Sequence, residues 1–130
     1  MDLDEQDALF ANEAFYLAFS QKDVDAMESL WATTQPLVCV HPGWERLTDR
    51  DEIIASWQQI LRNPRQPGMD FHHAVASSYG SLVLITCYEQ LPGGICLATN
   101  GFVAEQGAAR MVLHHSGACA HPPDGIRLPE

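Results

Sequence analysis

Three observations predict an α+β fold. Apolar residues recur at helical spacing through the first half of the chain. The second half divides into strand-like runs separated by turn dipeptides. At 130 residues and 46% hydrophobic content, the chain is long and apolar enough to bury one core. Helices gathered at one end and strands at the other favour segregated layers over an alternating β–α–β sheet. Residues 1–120 are expected to form one domain, and 121–130 a C-terminal tail that is extended or loose.

The first helix is predicted from about Leu3 to Ser20. Ala8, Ala11, Phe15, Ala18 and Phe19 form its apolar stripe, and Asp4, Glu5, Asp7 and Glu13 its wet face. The early acids also complement the positive end of the helix dipole. A short second helix is predicted to start near Asp23, with Val24, Met27, Leu30 and Trp31 apolar. Pro36 breaks the chain, and Leu37–His41 reads as a short strand stopped by Pro42-Gly43. The third helix is predicted to start at Thr48, a good N-cap, with Asp51 three residues on. Ile53, Ile54, Trp57, Ile60 and Leu61 fall on one face, and Asn63-Pro64 ends the helix.

Three or four strands follow: Phe71–Tyr79, which has the weakest signal, then Ser81–Leu91, Ile95–Ala104 and Ala109–Ser116. Pro92-Gly93-Gly94 and Glu105-Gln106-Gly107 supply the later turns, which makes an antiparallel meander. In the run Leu82-Val83-Leu84-Ile85-Thr86-Cys87-Tyr88 both alternating faces are apolar. A sheet with one wet face should alternate apolar and polar residues, so both faces are expected to be covered. The helices can cover one. A homodimer through the sheet would cover the other, the alternative being a curled sheet whose tail folds over it.

The net charge of −10, from 7 basic and 17 acidic residues, argues against nucleic-acid and anionic-membrane partners. The acidic start, MDLDEQD, is unlike a secretory leader, and no apolar run approaches the ~20 residues of a membrane span. A cytoplasmic protein is the expectation. The cysteines Cys39, Cys87, Cys96 and Cys119 form no C-x-x-C pair and lie in or beside apolar stretches, so they read as buried thiols. There is no G-x-S-x-G, no P-loop and no recognised metal-ligand motif, so neither nucleophilic catalysis, a cofactor nor a metal is expected.

Several strings resemble the SnoaL-like branch of the nuclear transport factor 2-like superfamily. They are Val38-Cys39-Val40-His41-Pro42-Gly43-Trp44, Ala55-Ser56-Trp57, Ala98-Thr99-Asn100 and Val112-Leu113-His114-His115-Ser116. The resemblance spans roughly residues 4 to 119. It implies a cone: three helices on the concave face of a strongly curved, mainly antiparallel sheet, with a pocket between them, usually in a dimer. Ketosteroid isomerase, a relative in that superfamily, carries its general base where His41 stands before Pro42. Asn100 takes the place of its oxyanion aspartate, and Phe15 that of its oxyanion tyrosine. The aspartate pair used for steroid isomerisation is therefore absent. Tyr16 lies one residue along, about 100° around the helix from Phe15, and is therefore not expected to substitute simply for that tyrosine.

The resemblance thus implies His41 and Asn100 as catalytic candidates. A histidine can act as a base near neutrality, and an amide can donate to a developing oxyanion. Strand parity adds companions. If Asn100 pairs with about Leu113, His115 shares its face; if the Gly93-Gly94 hairpin sets Cys87 opposite Asn100, Glu89 joins them. Trp44 at the cone mouth, Trp57 and Phe15 complete the expected ligand-binding set with Glu89 and His115. Two functions stay open. One is a binding protein or enzyme for a small, mostly apolar molecule, with proton transfer of the isomerase, cyclase or dehydratase kind. The other is a non-catalytic dimeric association module.

Overall fold

The computed structural model of the protein describes residues 2–126. Among them the elements run α1 (Glu5–Ser20), α2 (Val24–Leu30), β1 (Val38–Val40), α3 (Arg50–Arg62), β2 (Asp70–Ser78), β3 (Leu82–Leu91), β4 (Gly94–Glu105) and β5 (Ala108–Ala118). The fold is α+β, as predicted. One sheet of order β1-β5-β4-β3-β2 curls around the helices without closing. β2 to β5 form the antiparallel meander, and β1 adds a parallel edge strand beside β5.

Each helix starts on an aspartate whose carboxylate accepts a backbone N–H: Asp4 from Gln6, Asp23 from Ala26 and Asp49 from Glu52. The third helix is therefore capped by Asp49 rather than Thr48. Asp49 stands three residues before Glu52, the acidic version of a capping box. Its apolar face, Ile53, Ile54, Trp57 and Leu61, is buried as its periodicity requires.

The core lies between the helices and the concave face of the sheet. Phe15, Met27, Trp31, Ile53, Val83, Ile85, Phe102 and Met111 are fully enclosed there. On β3, Val83, Ile85, Cys87 and Glu89 alternate inward. Two irregularities bend the sheet: a register shift in β2 between His72 and Val75, and one between β4 and β5 at Gly101/Phe102. In the second, Phe102 pairs with Met111 and Gly101 with Leu113, so Val112 is the extra residue. Beyond the bulge every β5 side chain has changed face relative to an unbroken ladder.

The tail is not wholly loose, since Ile126 is buried. Residues 127–130 of the expected tail lie outside the described residues. Three of the four cysteines are buried and all are free; burial pushes the thiols of Cys39 and Cys87 up to about 12 and 11. No helix among the described residues is long and apolar enough to cross a membrane.

Candidate active site

The curl of the sheet leaves a cavity of about 220 Å³ between α1, α3 and the strands. Its walls are mostly apolar, including Phe19, Trp57, Ile60, Met69 and Leu91, and three titratable side chains reach it: His41, Glu89 and His114. Two wider clefts near Ser20, Met69 and Asp70 are more open to solvent.

His41 follows β1, and its carbonyl accepts from Trp44 N at 2.9 Å. Gly43, at φ 81°, closes this His-Pro-Gly-Trp turn, a position that favours glycine. The turn brings Trp44 back onto its own histidine, ring centroids 4.7 Å apart and edge to face. Trp57 packs on the imidazole at 4.5 Å. Trp44 stays 40% exposed and so sits at the rim, whereas Trp57 is buried.

The hydrogen-bond partners assign both imidazole tautomers. Ser56 Oγ donates to the Ile53 carbonyl at 2.6 Å, so it accepts from His41 Nε2 at 2.8 Å. His41 Nδ1 is then the nitrogen with the lone pair. Asn100 Nδ2 donates to Asn12 Oδ1 at 2.9 Å and to Tyr16 Oη at 3.0 Å. Its Oδ1 therefore accepts from His114 Nδ1 at 2.7 Å, which leaves the lone pair on His114 Nε2. Burial lowers the His41 pKa to about 4. Burial, with the neighbouring His41 and His115, lowers that of His114 to about 3. Both rings are neutral at pH 7.

The chain of donors continues. Tyr16 Oη donates to Glu89 Oε2 at 2.7 Å, and Ser116 Oγ donates to Glu89 Oε1 at 2.5 Å. Burial pushes the Glu89 carboxyl up against the downward pull of these two bonds. It also drives the Tyr16 phenol far above its ordinary value, with Glu89 and Cys87 adding to the effect, so Tyr16 keeps its proton. His114 and Glu89 thus both reach the cavity and are joined behind it through Asn100 and Tyr16. Every bond in the chain donates toward the carboxyl, so the bonds polarise one another in one direction.

The structure brings together His41, Glu89 and Asn100 as the sequence suggested, but Asn100 stands behind His114, with all three of its bonds directed to protein groups. His115 is exposed on the outer face of the sheet, and His114 replaces it inside. The turn-proximal pairing Glu105↔Ala108 has the expected register; the Val112 bulge then sets His114, not Leu113, opposite Asn100. Cys87 faces Ala98 rather than Asn100, a slip of two residues that keeps Glu89 on the inner face. Phe15 is core, packed on Trp57 and His114 at 5.4 and 5.0 Å. The phenol reaching Asn100 belongs to Tyr16, whose angular offset from Phe15 aims it at β3 and β4. Asn12, one turn before Tyr16 on α1, was not singled out from the sequence; an asparagine within a helix whose neighbours are core residues was the signal available. Among the described residues no three His, Cys, Asp or Glu side chains are grouped to hold a metal ion.

With this geometry established, comparison with known proteins gives a consistent result. The profile of the SnoaL-like domain matches residues 9–120. A Streptomyces avermitilis protein provisionally named a dehydratase of the NTF2-like family superposes with a TM-score of 0.81. It is 28% identical, over 90% of this chain and 96% of that one. A Thiobacillus denitrificans protein, provisionally named a calcium/calmodulin-dependent protein kinase type II association domain, has a TM-score of 0.75. It is also 28% identical, over 84% of this chain and 92% of that one. The Arabidopsis thaliana F-box protein SKIP8 is 30% identical over 109 residues, or 81% of this chain; the chain spans only 46% of that relative's length. The curled sheet, its helical filling and the profile match together place this chain in the SnoaL-like domain family.

Proposed function

We propose that the cavity binds a small, mostly apolar molecule and catalyses proton transfer on it, in a reaction of the dehydratase kind. One observation carries this reading: a neutral imidazole and a buried carboxyl face the same apolar cavity and are linked behind it by directed hydrogen bonds. The two groups have complementary tasks. His114 Nε2 takes a proton from the carbon beside a substrate carbonyl. The carbon–carbon double bond forms as the bond to a β-hydroxyl breaks, and the protonated Glu89 delivers its proton to that oxygen, which leaves as water. The enzyme is left with an imidazolium and a carboxylate, and proton return from His114 to Glu89 restores the starting state.

Burial favours the neutral starting state, and the polarised chain supports the charged one. Imidazolium strengthens the donation from Nδ1 to Asn100, and carboxylate strengthens acceptance from Tyr16 and Ser116. Asn100, given a direct oxyanion role from sequence, acts here as a positioning residue for His114. His41 is the second base within reach, at 6.1 Å from His114 between ring centroids. The provisional name of the Streptomyces avermitilis relative agrees with this chemistry. A panel of cyclic β-hydroxyketones incubated in D2O and followed by NMR tests the proposal. Water loss absent from Glu89→Gln, or deuterium uptake beside the carbonyl absent from His114→Phe, is the expected result. Neither process above the buffer rate for any member would overturn it.

A second reading, association through the sheet, rests on the outer face. A Cβ built at Gly101 would lie 3.0 to 3.5 Å from Leu113, Leu84 and Leu82, so these leucines crowd one outward patch, and Leu97 is 43% exposed on the same side. An apolar sheet face of this kind suits a second copy of the chain. The relatives provisionally named as kinase association domains are in keeping with assembly. Sedimentation at micromolar concentration should give the mass of two chains; a one-chain mass would remove this reading and leave the cavity proposal standing.

A further inference from the structure

The hydrogen-bonding groups of the cavity wall are few. Among the described residues no lysine or arginine lines it. Tyr16, Ser116 and Asn100 are committed behind the wall, Tyr16 and Ser116 to Glu89 and Asn100 to Asn12 and Tyr16, whereas the indole N–H of the lining Trp57 is buried without a partner. The wall also holds two imidazoles, His41 with its lone pair on Nδ1 and His114 with its lone pair on Nε2, and the Glu89 carboxyl.

We infer that the ligand is an uncharged ring compound bearing a hydroxyl, which one imidazole of the pair recognises by accepting its proton in a hydrogen bond. This rests on the cavity-binding reading above and narrows it to a ligand class. An anion finds no counter-charge here, in a protein of net charge −10. An ether or a ketone can accept from the Trp57 N–H but has no proton to offer either imidazole, whose bonds to water are then lost on binding without replacement. A cation would have to be desolvated against neutral rings and apolar walls. Size adds a limit. An apolar cavity of about 150 Å³ holds benzene, so the present volume takes a ring with a few further atoms, about nine non-hydrogen atoms in all.

The tautomers that produce this selectivity are held from outside the cavity. Ser56 fixes that of His41, and Asn100, itself oriented by Asn12 and Tyr16, fixes that of His114. The hydroxyl preference is therefore a property of positioning residues that the ligand does not touch.

Titration of the full chain with 4-ethylphenol, 4-methylanisole and 4-methylbenzoate at pH 7, followed by the fluorescence of the two cavity tryptophans, tests the inference. These probes have similar size and differ in offering a donor, only an acceptor, or a charge. The phenol is expected to bind about five- to tenfold more tightly than the anisole, as one net hydrogen bond implies. The benzoate is expected to bind more weakly than either. Equal binding of phenol and anisole, or preferred binding of the benzoate, would overturn the inference while leaving an apolar binding cavity. Binding of none would overturn the cavity reading and the inference with it. Nitrogen-15 NMR of the histidine rings is an independent check that needs no ligand. It should show the proton on Nε2 of His41 and on Nδ1 of His114, and either assignment reversed would also overturn the inference. His41→Phe should bring the phenol-to-anisole ratio toward one; an unchanged ratio in a folded variant would count against a role for His41.

Discussion

Glu89 and Glu105 are both buried glutamates on neighbouring strands of one sheet, yet their surroundings push their acidities in opposite directions. Glu105, at the end of β4, accepts four hydrogen bonds at 2.8 to 3.1 Å from the backbone N–H and hydroxyl groups of Thr33 and Thr34. The Thr33 backbone leads the effect and the pKa falls to about 2. Glu89 receives only two side-chain donors, and burial outweighs them. Depth differs along with donors: at Glu89 desolvation leads and raises the pKa, whereas at Glu105, nearer the surface, the fixed N–H and O–H dipoles outweigh it and keep the carboxylate ionised. Glu105 pins the loop after α2 to the sheet and does not line the candidate cavity. Glu89 does line it, and in the proposed function it is the group that gives up a proton there.

The largest effect should separate the two residues by function. Glu89→Gln is expected to lower turnover by about 10²-fold or more, the range for loss of a general acid, in the dehydration assay. Glu105→Gln should leave turnover unchanged. Equal activity loss in both variants would erase the distinction between them.

Acid titration comes next. The pKa of His41 and of His114 lies at about 4 and 3, below the ordinary 6.5, so the unfolded chain binds more protons than the folded one in between. Their contribution to stability is intact above about pH 6.5 and is lost as pH falls toward 4 and 3; the full loss from His41 alone is on the order of 3 kcal/mol. Glu105 adds a second loss below about pH 4.5 as the solution approaches its folded pKa of about 2. Glu89, with its folded pKa raised, works the other way and costs stability as pH rises through its ordinary range. Urea unfolding of Glu89→Gln, which removes the opposing carboxyl, at pH 7, 5.5 and 4.5 should show declining stability, and a flat profile in that variant would show that the imidazoles are not held neutral.

A smaller effect tests the loop anchor. Glu105→Ala leaves the Thr33 and Thr34 donors without their acceptor and should cost about 1 to 3 kcal/mol in urea unfolding at pH 7. That cost should shrink at pH 2.5, where the wild-type carboxylate is itself being protonated. The smallest effect belongs to the outer face of the bulge. His115→Ala should change both stability and turnover little, within about 0.5 kcal/mol for stability, whereas loss of the His114 imidazole removes the proposed base. A large activity loss from His115→Ala would place the wrong histidine in the cone.

Much of the fold was legible in the chain because its signals are local. Phe15, Ile53 and Trp57 announce their burial by spacing alone, and the Pro-Gly and Gln-Gly turns announce the hairpins. Even the inward placement of Glu89 survived a hairpin misplaced by two residues, since an even slip preserves the face. The site was only half legible. His41 could be singled out by its place before Pro-Gly. The choice between His114 and His115 could not be made, because one extra residue at Val112 reverses the parity and leaves no mark in local sequence.

Composition and periodicity by themselves determined the class of this protein: helices then strands, around one apolar core. Tertiary structure alone decided which polar side chains share the hollow, which hydrogen bonds orient their rings, and in which direction each of two glutamates is shifted. The reason is reach. Periodic patterns arise within a few residues, whereas the bonds of Tyr16 to Glu89 and of Thr33 to Glu105 join groups 73 and 72 positions apart, set by strand register and sheet curvature.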